Sequence, residues 1–381
     1  MPFESARKEL KDLLGIQMST ATARRATLRG GAAVLAVLEE ETTRLKQETP
    51  QAPAGATKQA MSADGAMVPL VGGEWAEVKT LVIGEVTRNR RGEVCTQHLS
   101  SFSRLADVES FEEAALVETH RRGLEKASEV CAVQDGAEWL PGLVDYHRAD
   151  AVRILDFAHA AEHISDMAQA ATNAGSTLVD DWLAKQLHEL KHNGPSQMLV
   201  DLRGLVATHP DVKELSDNLA YLQKREAQMQ YPTFQAAGWP IGSGCVESAN
   251  KVVVEARLKG AGMHWERGNV NPMLVLRNAV CNDRWDETWK ASTRQRQHSR
   301  QHLQDERTHA RCEQALARFL KLLLWCRPLT PRPALEPVPR PVKQPSSAPT
   351  GGTPGPRRPA ATHPWRRAIV TRPKETVLAK K

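Results

Sequence analysis

Between about residue 59 and residue 157 the chain sets three short apolar runs in a row and then alternates helix-like and strand-like segments, which few topologies accommodate. "SADGAMVPL" is followed by "EVKTLVIGEV" (Glu77–Val86), the turn "TRNRRG" and "EVCTQHLSSF" (Glu93–Phe102), the pattern of a three-strand meander. An amphipathic helix over about Val108–Leu124 comes next, with Phe111, Ala115 and Leu116 on one face. "SEVCAVQDG" reads as a buried strand ending at Asp135, "LPGLVDYHR" as a short helix and "AVRILDF" (Ala151–Phe157) as another buried strand. The order β-β-β-α-β-α-β predicts an α/β domain with a mixed sheet.

Two of the apolar runs in this unit carry the same triplet, Asp-Gly-Ala, at Asp64 and at Asp135. Asp-Gly is the favoured pair of tight turns, and a turn is one reading of each. The element order also matches the core of the ribonuclease-H-like fold, in which the first and fourth strands lie side by side. The two carboxylates would then face one another.

From about Ala160 to Gln230 the pattern is wholly helical; "LVDDWLAKQLHELKHN" puts Leu178, Trp182, Leu183, Leu187 and Leu190 on one stripe. This block, about 160–235, is expected as a helical insertion. "IGSGCVESANK" (Ile241–Lys251) then places Glu247 just inside a helix after a Gly-Ser-Gly turn. Glu247 and Lys251 could pair as surface neighbours four apart, and a glutamate in a first turn suits the helix dipole. Taken with the aspartates, Glu247 completes the order Asp, Asp, Glu on strand, strand and helix, with spacings of 135 − 64 = 71 and 247 − 135 = 112. A last helical region, about Cys245–Trp325, is broken around "KGAGMHW".

The ends differ in character from this centre. "ESARKELKDLLGIQMSTATARRATLRGG" reads as a helix with a Leu10, Leu13 and Leu14 stripe, a stop at Gly15, an N-cap at Ser19 and a basic helix carrying Arg24, Arg25 and Arg29. That is a helix-turn-helix-like opening over residues 1–45. Residues 46–58 are Pro/Ala/Gly-rich and predict a linker. The catalytic domain is expected over 59–327 and a Pro/Arg-rich disordered tail over 328–381. From Arg327 onward twelve Lys/Arg oppose two Asp/Glu, a charge of +10, so with a net charge of +6 the remainder carries 6 − 10 = −4. A tail of this charge suits nucleic acid or simple solubility. The six cysteines form no Cys-x-x-Cys pair, which argues against a zinc knuckle or disulfide framework. No apolar run approaches the roughly 18 residues of a membrane span, and the charged N-terminus lacks a signal-peptide pattern.

The stretches "SADGAMVPL", "EWAEVKT", "VQDGAEWLPGL", "ILDFAHAAEH", "GSGCVESANK", "RLKGAGMHW" and "LRNAVCNDRWDETW", with the closing "HPWRR", together resemble the DDE transposases of bacterial insertion sequences, specifically the ISKra-type group. The resemblance spans most of residues 58–290. It implies a ribonuclease-H-like core in which Asp64, Asp135 and Glu247 are catalytic and bind two Mg²⁺ ions, for which Mn²⁺ can substitute. It also implies cleavage at the ends of an insertion sequence and strand transfer into target DNA. Hard oxygen ligands suit Mg²⁺, and two ions about 4 Å apart serve an in-line displacement at phosphorus. Double-stranded DNA is the expected partner, with a homo-oligomer on DNA, no membrane, and a cytoplasmic, nucleoid-associated location in a bacterium. Arg257, Lys259 and Trp265 are candidates for gripping phosphate and stacking on a base, beside Arg24, Arg25 and Arg29. Asp156 and His159 are expected beside the site as supporting groups. Two other readings stand. The opening is short for that group, so the chain could be a transposase-derived DNA-binding protein without catalysis. "HAAEH" (His159–His163) matches the H-x-x-E-H pattern of a zinc peptidase.

Overall fold

In a computed structural model, which describes residues 2–325, the sheet is built from β1 (Lys58–Pro69), β2 (Trp75–Arg88), β3 (Val94–Arg104), β4 (Glu129–Gln134) and β5 (Val152–Leu155). Its order is β3-β2-β1-β4-β5. The meander β1–β2–β3 is antiparallel, while β4 pairs parallel with β1 and β5 parallel with β4. The expected mixed α/β architecture is therefore observed, with every expected strand in place.

Helices α1 (Phe3–Leu14) and α2 (Thr20–Glu48) precede the sheet, and α3 (Val108–Arg121) and α4 (Leu140–Arg148) are its crossovers. Next come α5 (Phe157–Asn173), α6 (Trp182–His192), α7 (Pro195–Thr208), α8 (Lys213–Lys224) and α9 (Tyr231–Ala236). After these come α10 (Gly244–Ala249), a π-helical turn (Asn250–Glu255), α11 (Ala256–Leu258), α12 (Arg267–Cys281) and α13 (Trp285–Trp325).

Side-chain alternation divides β1 between cores. Met61 and Ala63 point to one face, where they pack with Phe111 and Ala115 of α3 and Leu140, Leu143 and Val144 of α4. Ala60 points to the other and joins Cys131 and Val133 of β4 in a cluster with α5 through α9. Ala66 and Val68, on that same second face but farther along, pack against Val253, Val254, Leu258 and α12. The expected insertion thus has a core of its own: Met198, Leu202, Leu215 and Leu222 are fully buried.

The opening helices differ from a free-standing DNA-binding segment. Gly15 adopts φ 65° and stops α1, and the Ser19 side chain accepts from the Thr22 N–H, as expected of a stop and a cap. However, α2 continues for 29 residues and lies against α12, with Gly31 at the carbonyl of Pro272 and Val34 packed with Val275 and Leu276. The Leu13 and Leu14 stripe of α1 stays exposed. Helices α1 and α2 belong to the same compact unit as the sheet. The expected linker 46–58 is shorter, because α2 runs to Glu48 and β1 begins at Lys58. The Pro/Arg-rich tail and the "HPWRR" stretch lie outside the described residues. No helix among the described residues is long and apolar enough to cross a membrane.

Candidate active site

Asp64 is no turn residue. β1 runs straight through it, with Asp64 opposite Thr80 and Gly65 opposite Lys79. Asp135 does begin a turn, one residue past β4: its Oδ1 accepts from the Ala137 N–H at 2.9 Å, and Gly136 takes φ 84°.

Register brings the two together. The parallel β1–β4 ladder pairs Lys58 with Glu129 through Met61 with Ala132, an offset of 132 − 61 = 71. The Asp64–Asp135 spacing is also 71, so both occupy the same level, three residues beyond the last ladder pair. Alternation sends both carboxylates to the face of Ala60, Cys131 and Val133. On that face Ser62 and Asp64 lie between Ala60, which belongs to one apolar cluster, and Ala66, which belongs to another. The carboxylates therefore sit at the seam of two cores.

Burial raises the Asp64 carboxyl above its ordinary range, and the charge of Asp135 adds to the rise. Hydrogen bonds from the Gly65 N–H (2.6 Å) and Asn250 Nδ2 (2.8 Å), and the nearby His159, act against it. Asp156, at the start of α5, is buried; its Oδ2 receives His159 Nδ1–H at 2.8 Å and its Oδ1 the Ser243 N–H at 3.1 Å. Burial alone would raise the Asp156 carboxyl, but these bonds outweigh it and hold it below the usual range. The same bond to Asp156, with the charge of Asp135, raises His159 to about 9. A cationic imidazole thus stands among three carboxylates, Asp64, Asp135 and Asp156.

The insertion braces the second aspartate. Tyr221 of α8 donates its hydroxyl to the Asp135 carbonyl, and Arg225 Nη2 donates to the Gly136 carbonyl at 2.6 Å. A Cβ at Gly136 would meet Tyr221 Oη at 2.4 Å. Nothing in the local sequence announces these contacts, because they depend on how α8 docks.

Glu247 is half-buried in α10. Among the described residues no three His, Cys, Asp or Glu side chains are grouped to hold a metal ion. The contact from this helix to Asp64 is made one turn later by Asn250, where the backbone enters the π-helical turn. Asn250 Oδ1 is buried without a partner. A pair of coupled, partly buried carboxylates with an unpartnered amide oxygen beside them is a hard-oxygen donor set, and it suits a small divalent cation.

The outer candidates divide. Arg24, Arg25 and Arg29 are exposed on α2. Lys259 is exposed and pairs with Glu255 at 3.0 Å. Arg257 is instead buried, its guanidinium 4.6 Å from the Phe3 ring centre and 5.2 Å from that of Trp265. Trp265 is also buried, donating Nε1–H to the Leu258 carbonyl at 3.0 Å, and its backbone bridges to Leu70. It is a packing residue without a free face for a base. The H-x-x-E-H pattern is not assembled either: His159 is held by Asp156, whereas His163 bonds Asn218 and stacks on Tyr221 at 3.8 Å. Comparison with models of known protein families and with curated proteins finds no match for this chain.

Proposed function

We propose that this chain is a metal-dependent phosphoryl-transfer enzyme acting on double-stranded DNA, a DDE transposase with a ribonuclease-H-like core. The observation that supports the reading is the register of parallel β1 and β4, which directs Asp64 of β1 and Asp135, one residue past β4, to the same side of a sheet ordered β3-β2-β1-β4-β5, where their charges interact. Mg²⁺, when bound, would supply Lewis-acid stabilisation to the attacking and leaving oxygens of a phosphodiester. Asp64 and Asp135 offer it anionic oxygens from rigid backbone positions, one in mid-strand and one in a turn braced by Tyr221 and Arg225. Glu247 would add the third carboxylate from the turn before Asn250. The His159 cation, fixed by Asp156, moderates the negative charge and favours the approach of a phosphate. Water would first cut at the element's end to leave a 3′-hydroxyl, and that hydroxyl would then attack target DNA. Both steps are substitutions at a phosphodiester, so one site serves both.

The test is strand cleavage of a labelled duplex carrying the element's own ends, with and without Mg²⁺ or Mn²⁺. Cleavage that needs the cation and is lost by about a thousandfold or more in Asp64→Ala, Asp135→Ala and Glu247→Ala is expected. Asp145→Ala, outside the site, should keep the parent rate. A second reading, DNA binding without cleavage, is favoured because no three His, Cys, Asp or Glu side chains among the described residues are grouped to hold a metal ion. End-specific binding with no cleavage under either cation would establish it.

A further inference from the structure

A cavity of about 680 Å³ opens between the start of α1, α2 and the loop that follows α11, and it shares no residue with the carboxylate site. Val71, in its wall, lies in the turn after β1, seven residues beyond Asp64. Arg257 lines the cavity although it is only 6% exposed. Among the described residues its guanidinium has ring contacts to Phe3 and Trp265 but no hydrogen bond or ion pair. Burial lowers its pKa, and the charge next in importance is Arg277, a second cation that pushes the same way. A buried cation is normally paired, so Arg257 lacks the anion its position calls for.

Three further features converge on that missing anion. Arg24, exposed on α2, lines the same cavity and adds a second positive charge. The 15-residue α12 begins at its wall, and the Glu266 side chain at the N-cap makes no capping bond. Its first-turn N–H groups and dipole therefore have no side-chain acceptor. Beside Gly268 nothing lies within 4 Å of where a Cβ would sit, so the approach is open. Two carboxylates also line the wall, Glu4 and Glu266. Glu4 is engaged by Arg7 and by the Thr20 hydroxyl, and neither acidic side chain pairs with Arg257.

We propose that this cavity binds a phosphate group, held by Arg257 and Arg24 and by the N-terminus of α12. Its volume falls in the usual range of small-ligand pockets, roughly 300–1,000 Å³, so an esterified phosphate fits as well as a free one. A phosphodiester of duplex DNA and the phosphate of a free nucleotide share this chemistry. The proposal stands apart from the phosphoryl-transfer reading, because none of its residues belongs to the carboxylate site.

The experiment is calorimetric titration of the full chain in EDTA, at constant ionic strength, with inorganic phosphate, adenosine monophosphate and a short 5′-phosphorylated duplex. Saturable binding of at least one probe is expected, weakened about tenfold or more in Arg257→Met and measurably in Arg24→Gln. Ligand-free Arg257→Met should melt no lower than the parent, since it removes an unpaired buried charge and keeps much of the packing volume. Binding of the duplex that adenosine monophosphate displaces identifies a terminal or free phosphate; binding of the duplex alone, weakened in both variants, identifies the DNA backbone. No saturable binding of any probe, or binding unchanged in both variants, overturns the proposal. Should Arg257→Met fail to fold, Arg24→Gln at its exposed position decides alone. Asp64→Asn separates this site from the catalytic one: it should leave these affinities unchanged whether or not it abolishes cleavage.

Discussion

Asp64→Asn should make the metal-free protein more stable and the Mg²⁺-loaded protein less so. Asp135, just past the end of β4, is near enough for its charge to raise the Asp64 carboxyl, and the spacing of neighbouring parallel strands, about 4.8 Å, sets the scale of their separation. Two charges at that distance repel by about 3 kcal/mol at an effective dielectric of 20, and by about half that where water screens them. Burial of Asp64 works in the same direction. The amide keeps the acceptor for the Gly65 N–H. Its new NH₂ would face Asn250 Nδ2, but Asn250 Oδ1 has no partner, so a flip of the Asn250 amide restores a donor–acceptor pair. A net gain of about 1–2 kcal/mol in EDTA is therefore expected, a rise of a few degrees in Tm. With Mg²⁺ at a hundred times its Kd the parent gains about 2.7 kcal/mol and the variant little, so the order inverts. Thermal unfolding of both proteins in EDTA and across a Mg²⁺ titration measures this crossing. A variant less stable than the parent in EDTA by more than 1 kcal/mol would show that Asp64 serves the strand. A parent whose Tm ignores Mg²⁺ would remove the metal site altogether.

Gly31→Ala places a Cβ 2.0 Å from the Pro272 carbonyl oxygen and must push α2 away from α12; a loss of about 2–4 kcal/mol in denaturant unfolding is expected, and a neutral result would mean that α2 is not part of the core. Glu118→Gln removes the buried carboxylate that pairs with the half-buried Arg284 at 2.7 Å, which should cost about 1–2 kcal/mol because Arg284 can still reach water; a neutral result would contradict the pairing. In metal-free buffer the Asp156–His159 pair sets a pH limb. The folded pKa of His159 is raised to about 9, so its contribution is complete below its ordinary value near 6.5 and is lost as pH rises through 9. Because about a third of the side chain is exposed, the loss should be only about 1–2 kcal/mol. His159→Gln should flatten this limb, and an unchanged pH profile would refute the assignment.

Much of the frame is legible from pattern alone, because β1 through β5 are set by local periodicity and short connections. The carboxylate pair is legible in part, since the two Asp-Gly-Ala triplets single it out, although only Asp135 stands at a strand end and Asp64 lies in mid-strand. Legibility fails where a residue's partner is distant in sequence. Arg257 looks like a surface cation one helix beyond Glu247, yet Phe3, more than 250 positions away, covers it. Asn250, Tyr221 and Arg225 give no local signal, because their roles follow from the docking of α8 and α10 onto the sheet. The opening helices show the converse. Their cap and stop are local and are read correctly, whereas the fusion of α2 to α12 depends on Gly31, whose absent side chain matters only when another helix arrives.

The 71-residue spacing between the aspartates has a physical meaning that composition lacks. In a parallel pair, residues share a level when their separation equals the ladder offset, and they point the same way because the side-chain period is two. A slip of one residue in β4 would send Asp135 to the α3–α4 face, among Val130 and Ala132, where an unpaired carboxylate is costly. The spacing therefore ties the register of the sheet to the chemistry of its edge. Val130, Cys131, Ala132 and Val133 are all buried, so β4 is apolar on both faces, and the charge just past its end is what distinguishes one register from another. Substituting Val133 by a charged residue should thus disturb the Asp64–Asp135 pair through the strand, without touching either carboxylate.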